Sequence, residues 1–326
     1  MKILLTGASG FVGSHILDSL RRRGLDTVLL LRRTSSKRLI SSHLPDVEVR
    51  SGSIGDPDSL GEAMAGITHV IHCAGATKAA RVAGFYEANQ TGTRNLVSAV
   101  NGHSGRVQRV VHISSLAAAG PALRERPARE EDAPQPVSEY GKSKLAGEFE
   151  VRDHCRAEYV ILRPPAVYGP RDGEFLRLFR AVKSHLLPKP DGTQALSMVF
   201  VRDLADAVVT CLDHAGTAGK TYFVAAREVV TARTIAEEIA AQMNTWTLPL
   251  PLPTPLLWPI CLAQDLASRF TGKPSVLSLQ KYAELRAPGW VCDPTRLERE
   301  TGYACATTLK LGIAETLNWY REHNWL

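Results

Sequence analysis

The sequence contains no C-x-x-C pair: its six cysteines, Cys73, Cys155, Cys211, Cys261, Cys292 and Cys305, are scattered along 326 residues. A chain of this length buries enough surface to stand without covalent staples, so the cysteines read as reduced thiols and no metal-ligand set is expected. No leader is expected either. The apolar run Ile3 to Leu5 follows Met1 directly and enters a glycine turn, with no charged n-region, apolar h-region or cleavage site between them. The expectation is a cytoplasmic protein. Long apolar runs are also lacking, because the most apolar stretch, Trp246 to Ala263, is interrupted by Pro249, Pro251, Pro253, Pro255 and Pro259. A regular spanning helix of about 20 residues is thereby excluded, and no integral membrane segment is expected. Nor is there a block of one charge sign. The net charge of +6 is dispersed, with Arg21 to Arg23 and Arg32 to Arg33 as the longest basic runs. That argues against a nucleic-acid partner, and a phosphorylated cofactor or an anionic surface accounts for the mild excess. There is no internal repeat and no low-complexity tract.

What is present is ordinary globular usage, 44% hydrophobic and 22% charged, enough for one large or two modest domains. From residue 2 to about 163, short aliphatic runs alternate with longer amphipathic ones, the pattern of strand–helix–strand units in a parallel sheet. Strands are predicted at Lys2 to Thr6, Thr27 to Arg32, Val47 to Ser51, His69 to Cys73, Arg109 to Ser114 and Tyr159 to Arg163. Helices are predicted at Phe11 to Arg23, Pro57 to Ala65 with Asp56 as N-cap and Gly66 as stop, about Phe85 to Val100, and about Ser138 to Cys155. Beyond Arg163 the alternation becomes irregular and proline-rich, as a substrate-covering region would. A strand near Met198 to Val201, a helix from Asp203 to His214 and a strand near Tyr222 to Ala225 are expected to rejoin the first domain. A final amphipathic helix is predicted from about Leu311 to His323.

The first strand leads through Thr6-Gly7-Ala8-Ser9-Gly10-Phe11-Val12-Gly13 into a helix. Glycines there allow a tight turn, close approach to a pyrophosphate and tight helix packing, while the helix N-terminus offers free N–H groups and a positive dipole end. The spacing is G-x-x-G-x-x-G. Such glycines also serve plain packing, so the turn takes its meaning from the rest of the chain. Six further blocks follow in order: His72-Cys73-Ala74-Gly75; Asn89-Gln90-Thr91-Gly92-Thr93; Ile113-Ser114-Ser115 before Gly120; Tyr140-Gly141-Lys142-Ser143-Lys144; Arg163-Pro164-Pro165-Ala166-Val167-Tyr168-Gly169-Pro170; and Val201-Arg202-Asp203-Leu204-Ala205.

With these blocks the sequence closely resembles the extended short-chain dehydrogenase/reductase superfamily over essentially its whole length. The resemblance implies an α/β fold: a Rossmann, doubly wound parallel sheet over residues 1–168, with 195–225 rejoining it. A smaller, mostly helical C-terminal substrate domain over 169–326 and a homodimer are implied as well. It also implies a nicotinamide dinucleotide held by Gly7, Gly10, Phe11, Val12, Gly13, Ser53, Ile54, Ala74, Gly75, Asn89, Tyr140, Lys144, Pro164 and Val167. Asn89 fixes backbone or water near the site, or caps a loop. The partner implied is a small-molecule substrate.

Tyr140 and Lys144 stand four apart on a predicted helix and so project toward one volume. A phenol titrates near 10, and a neighbouring ammonium is expected to favour its phenolate. By resemblance Lys144 also holds the nicotinamide ribose. Ser115, at the carboxyl edge of the fifth strand, is placed to hydrogen-bond the reacting oxygen. Its distance from Gly120 favours it over Ser114.

Two positions depart from the family pattern. Members that use NAD normally end the second strand with an acid. Here that place is read as Leu31, followed by Arg32 and Arg33. This favours a 2′-phosphate and hence NADP over NAD, unless both arginines are simply solvated. Ser53 stands where many relatives carry an acid for the adenine amine. Nucleotide-sugar epimerases and dehydratases usually carry an asparagine in the block that here reads Pro164, Pro165 and Ala166. The block looks more like the 3β-hydroxysteroid dehydrogenase and dihydroflavonol reductase branches, whose substrates are apolar. The leading reading is therefore NADP(H)-dependent interconversion of a secondary alcohol and a ketone on a largely apolar molecule. A nucleotide-sugar epimerase or dehydratase is the alternative, and a non-catalytic dinucleotide sensor the third, disfavoured by the intact Ser115, Tyr140 and Lys144. The stretch Leu248 to Leu262 reads as substrate wall, as a dimer or core contact, or as a face against a membrane.

Overall fold

The computed structural model describes residues 1–103, 105–190, 194–252, 254–271 and 279–326. The first half runs β1 (Lys2–Thr6), α1 (Phe11–Arg22), β2 (Asp26–Leu31), β3 (Glu48–Ser51), α2 (Pro57–Ala63), β4 (His69–His72), α3 (Val82–Tyr86), α4 (Gly92–Gly102), β5 (Arg109–Ile113), α5 (Leu116–Ala119), α6 (Glu139–His154) and β6 (Glu158–Arg163). The second half runs β7 (Ala166–Tyr168), α7 (Phe175–Lys183), β8 (Leu186–Pro190), β9 (Ala195–Phe200), α8 (Val201–Asp213), β10 (Lys220–Phe223), β11 (Val229–Thr231), α9 (Ala232–Met243), β12 (Leu248–Leu252), α10 (Thr254–Thr271), α11 (Leu279–Leu285), β13 (Gly289–Trp290), α12 (Thr295–Thr301) and α13 (Leu309–Glu322).

Seven strands form one parallel sheet in the order β3-β2-β1-β4-β5-β6-β10. Its central strands are aliphatic on both faces because helices cover both. Ile3 and Leu5 pack on one side with Leu17 and Leu20 of α1 and Val208 and Leu212 of α8. Leu4 turns to the other side and joins Leu60 of α2 with Leu96 and Val100 of α4. That alternation is the two-residue period of a strand. The strand order reverses between β1 and β4, which opens a crevice at their carboxyl ends. The Asp56 side chain accepts from the Ser59 N–H and Pro57 opens α2, as the sequence suggests.

Three elements differ from expectation. The helix predicted at Phe85 to Val100 is split into α3 and α4 by a π-helical turn over Glu87–Thr91. The wider turn lets Asn89 face inward, where its side chain is used as described below. Of the segment expected to rejoin the first domain, α8 and β10 do so, but β9 lies in a second sheet with β7, β11 and β13. The proline-rich stretch contains a helix after all. Pro255 falls in the first turn of α10, where no N–H is needed, so only Pro259 interrupts the ladder. Pro249 and Pro251 sit on β12, in a two-stranded ribbon with β8. Among the described residues, no helix is long and apolar enough to cross a membrane.

Candidate active site

A cavity of about 1220 Å³ opens at the crevice. Its floor is the turn after β1. Gly7 has φ +77°, and a Cβ there would come within 2.7 Å of the Ala74 nitrogen. A Cβ on Gly13 would come within 2.1 Å of the Gly7 carbonyl oxygen. Both glycines are therefore required by packing of α1 and β4 onto the turn. Gly10 differs: it is exposed, lines the cavity, and donates its N–H to the Gly7 carbonyl at 3.0 Å. Phe11 and Val12 line the cavity beside it, at the start of a helix with no acid in its first turn. The floor thus fits an anionic diphosphate, with the positive end of α1 aimed at it.

Above the floor stands α6. Ser138 caps it by accepting from the Gly141 N–H at 3.1 Å. Tyr140 follows in the first turn and lines the cavity together with Ser115, whose hydroxyl bears on the phenol. Ser115 itself caps α5 by accepting from the Ala117 N–H at 3.1 Å. Lys144, one turn on from Tyr140, is buried and donates from Nζ to the Ile113 carbonyl at 2.6 Å. Burial, not the ammonium, dominates the titration of this pair. The phenol is pushed up to about 12 by desolvation, with Glu284 and Cys73 adding to it and the Ser115 hydroxyl opposing. Desolvation lowers Lys144 to about 8. This runs against the expectation that Lys144 would favour the phenolate: Lys144 is not among the groups that shift the phenol, and one of its N–H groups holds the Ile113 carbonyl. At neutral pH Tyr140 is a phenol, hence a proton donor. The Cys73 thiol, raised to about 11 by burial, is no nucleophile at this pH.

Ser114 and Ser115 part company. The Ser114 hydroxyl donates to Glu148 Oε1 at 2.5 Å, and Arg163 forks onto the same carboxylate at 2.9 and 2.6 Å. Glu148 is wholly buried. This ion pair was not anticipated, although Glu148 sits four residues after Lys144 on the same helix. Asn89 is buried at the π-turn. Its amide donates to the Ala76 carbonyl and the Ser143 hydroxyl, each at 2.9 Å, and accepts from the Ala76 N–H at 2.8 Å. It clamps the strand-end loop to α6.

Gly75, Pro164 and Val167 also line the cavity. Ala74, Ser53, Ile54, Arg32 and Arg33 do not. The Ala74 N–H donates to the Thr6 hydroxyl at 3.1 Å, beneath the floor. Ser53 receives the Gly55 N–H at 3.2 Å, and the Ile54 carbonyl receives the Asn95 amide at 2.9 Å. Arg32 and Arg33 are exposed just past β2, whose Leu30 pairs with Thr6. Leu31 is 3% exposed and packs in the core with Leu29. Leu31 thus faces the core, and Arg32 is the first residue past β2 that is exposed.

The far wall was not foreseen from the sequence. It is made by Ala76–Val82 and Phe85, by Asp172–Glu174, and by Asp265, Leu279, Lys281 and Glu284 of the C-terminal helices. Part of it comes from the loops at residues 76–81 and 172–174 and the rest from α3, α10 and α11, elements far apart in the sequence. Their charges are largely paired: Lys78 with Glu174 at 2.6 Å and Lys281 with Glu284 at 3.1 Å. Asp172 Oδ1 accepts from the Glu174 N–H at 2.8 Å, and burial raises its carboxyl to about 6.

A parallel sheet reversed at β1 and β4, a glycine turn at that reversal and a Tyr-x-x-x-Lys helix beside it define a class, the extended short-chain dehydrogenases/reductases. A family model described as the NAD dependent epimerase/dehydratase family matches residues 3–225, and the chain belongs to that family. It is accordingly an NAD(P)-dependent enzyme of the oxidoreductase/epimerase type. It is 31% identical over 325 residues to a ceramide reductase of Caulobacter vibrioides, covering 99% of this chain and 96% of that one. It is 32% identical over 266 residues to a UDP-glucose 4-epimerase of Vibrio cholerae, covering 77% and 79%. Its fold matches that of a UDP-glucose 4-epimerase of Thermotoga maritima, solved with UDP-glucose, at a TM-score of 0.80 and 20% identity over 99% of this chain and 100% of that one.

Proposed function

We propose that this enzyme reduces a ketone to a secondary alcohol on a largely apolar small molecule, using NADPH. The observation that carries the proposal is the Tyr140–Ser115 hydroxyl pair on the cavity, with the phenol kept protonated by burial. A substrate carbonyl oxygen taken between the two hydroxyls receives hydrogen bonds from both, and Tyr140 delivers its proton as negative charge develops there. The dinucleotide, when bound, supplies the hydride. Gly10, Phe11, Val12 and Gly13 would hold its diphosphate, and Lys144 and Asn89 would order the ribose side.

The choice of an apolar ketone rests on the far wall. Val82, Phe85 and Leu279 face the cavity, and two of its far-wall cations, Lys78 and Lys281, hold acids, while Arg81 stands beside them. No asparagine stands at Pro164, Pro165 or Ala166 to meet a second diphosphate. The relative named a ceramide reductase, aligned over nearly the whole of both chains, supports the same reading. The relative named a UDP-glucose 4-epimerase favours the alternative, an isomerase that keeps its nucleotide. The preference for NADP rests on Arg32 and Arg33, exposed beside the glycine turn. A guanidinium suits a 2′-phosphate, and a hydrogen bond to a charged group is worth about 10- to 150-fold in affinity.

Two measurements test the proposal. Freshly purified protein should carry no bound nucleotide, whereas an epimerase would retain one. Calorimetry should show NADPH bound more tightly than NADH, with Arg32→Ala weakening NADPH by about 10- to 150-fold and leaving NADH nearly unchanged. Equal or tighter binding of NADH by the parent would sink the NADP assignment.

A further inference from the structure

Helix α11 is held at both ends. The Leu279 N–H donates to Asp265 Oδ2 at 3.1 Å. At the other end the Glu284 carbonyl accepts from the Trp290 indole N–H at 3.0 Å and from the Gln194 amide at 3.3 Å, and the same amide reaches the Ala287 carbonyl at 2.6 Å. The orphan carbonyls of a helix end are thus satisfied by side chains of other elements, which fixes where the helix points. It points Glu284 at the amino end of α6. Glu284 Oε1 accepts from the Ser138 hydroxyl at 3.0 Å, two residues before Tyr140, while Oε2 lies 3.1 Å from Lys281 Nζ.

Glu284, Tyr140 and Ser115 line the same cavity. An ionised carboxylate offers about four acceptor sites, so two donors leave it able to accept more. The other described acids of the cavity are occupied differently: Asp172 holds the Glu174 N–H, Glu174 pairs with Lys78, and Asp265 ties the start of α11. The groups that bear on the phenol are Ser115, Cys73 and Glu284, with Lys144 behind it and Lys281 beside Glu284. Proton donation by Tyr140 needs no acid from the C-terminal region. An acid docked there at the cost of partial burial is better suited to a group on the substrate.

We propose that Glu284 is a specificity-determining residue whose carboxylate accepts a hydrogen bond from a hydroxyl, amide N–H or ammonium on the carbon beside the carbonyl held by Tyr140 and Ser115. The preferred substrates are therefore apolar ketones with a hydrogen-bond donor at the adjacent carbon, not bare ketones. This rests on the ketone-reductase reading above. The test compares two ketones of equal chain length, one with an adjacent acylamino or hydroxyl group and one without, in the parent, Glu284→Ala and Glu284→Gln. Glu284→Ala should lower kcat/KM on the donor-bearing ketone by about 10- to 150-fold and on the bare ketone by less than about threefold. Glu284→Gln, which keeps an oxygen for Ser138, should fall between the two. NADPH affinity equal to the parent's certifies the fold, and if Glu284→Ala fails that check the Gln variant alone should still change the ratio of the two ketones. Equal losses on both ketones would reduce Glu284 to a docking contact and overturn the proposal, as would no loss on either. A parent inactive on both would contradict the ketone-reductase reading itself, and this proposal with it.

Discussion

On the sheet side of the cavity, Ser115, Tyr140 and Lys144 are fixed by helix caps and by a backbone carbonyl, whereas on the far wall Lys78 pairs with Glu174 and Lys281 with Glu284, which also takes the Ser138 hydroxyl. The first arrangement is rigid because its partners are the ends of buried elements. A close packing of glycines adds to this: a Cβ on Gly141 would meet the Ala117 carbonyl oxygen at 2.3 Å, and one on Gly147 the Asn89 carbonyl oxygen at 2.3 Å. The second arrangement is a set of partly exposed ion pairs, each worth little in stability. Such a wall changes residue by residue without loss of the fold. On the proposed reading, reaction chemistry sits on the firmly held wall and substrate choice on the wall that tolerates change.

The largest expected effect breaks the sheet side alone. Tyr140→Phe keeps the ring but has no proton to give, so turnover should fall by about 10² to 10⁴-fold while dinucleotide affinity stays near that of the parent. Steady-state kinetics with a parallel cofactor titration reads this, and retention of more than about a tenth of the activity would remove Tyr140 from the reaction. Beneath it, Glu148→Ala should strand Arg163 in the core and cost about 3–5 kcal/mol in chemical denaturation. An ion pair of the far wall, such as Lys78 with Glu174, should cost at most about 1 kcal/mol when broken. Ser115→Ala should lower turnover by about 10²-fold, the effect of losing one donor to a developing oxyanion. Ser114→Ala should leave turnover higher than Ser115→Ala does and appear mainly as lost stability, because its hydroxyl serves Glu148. The opposite order would mean that the two serines are misassigned.

The smallest effect sharpens the electrostatics. Burial places Lys144 at about 8 and Tyr140 at about 12, so the charge lost first on raising the pH is that of Lys144. If its ammonium orders the ribose, kcat/KM for the dinucleotide is full below about pH 8 and declines as pH rises through that value. Lys144→Arg, permanently charged, should move this alkaline limb upward. An unchanged limb would assign it to another group.

How much of this was legible in the sequence follows the same division. The strands of the sheet side and helices α1, α2 and α6 were readable to within a residue or two, because buried aliphatic runs and caps such as Asp56-Pro57 leave local signals, while α5 was not read. Tyr140, Lys144 and Ser115 were readable as an ordered set. The burial of Leu31 was not legible, since nothing in the string Leu29 to Arg33 tells which leucine is the last to face the core. The π-turn at Asn89 was hidden in a continuous helical pattern. Glu148 was legible in position but not in role, because its partner Arg163 comes from another element. Asp172, Lys281 and Glu284 left no local mark. They meet the cavity only through long-range contacts such as Trp290 to Glu284 and Tyr320 to Asp172.

The central claim is that Tyr140 donates its proton to a ketone that leaves as an alcohol, with the dinucleotide consumed each turn. Its most direct test is to mix purified enzyme, NADPH and an apolar ketone with an adjacent hydrogen-bond donor, and to follow nucleotide and product together. The expected result is one NADP formed for each alcohol, abolished in Tyr140→Phe. Interconversion of a nucleotide sugar with no net change in the nucleotide, and no reaction with the ketone, would contradict it.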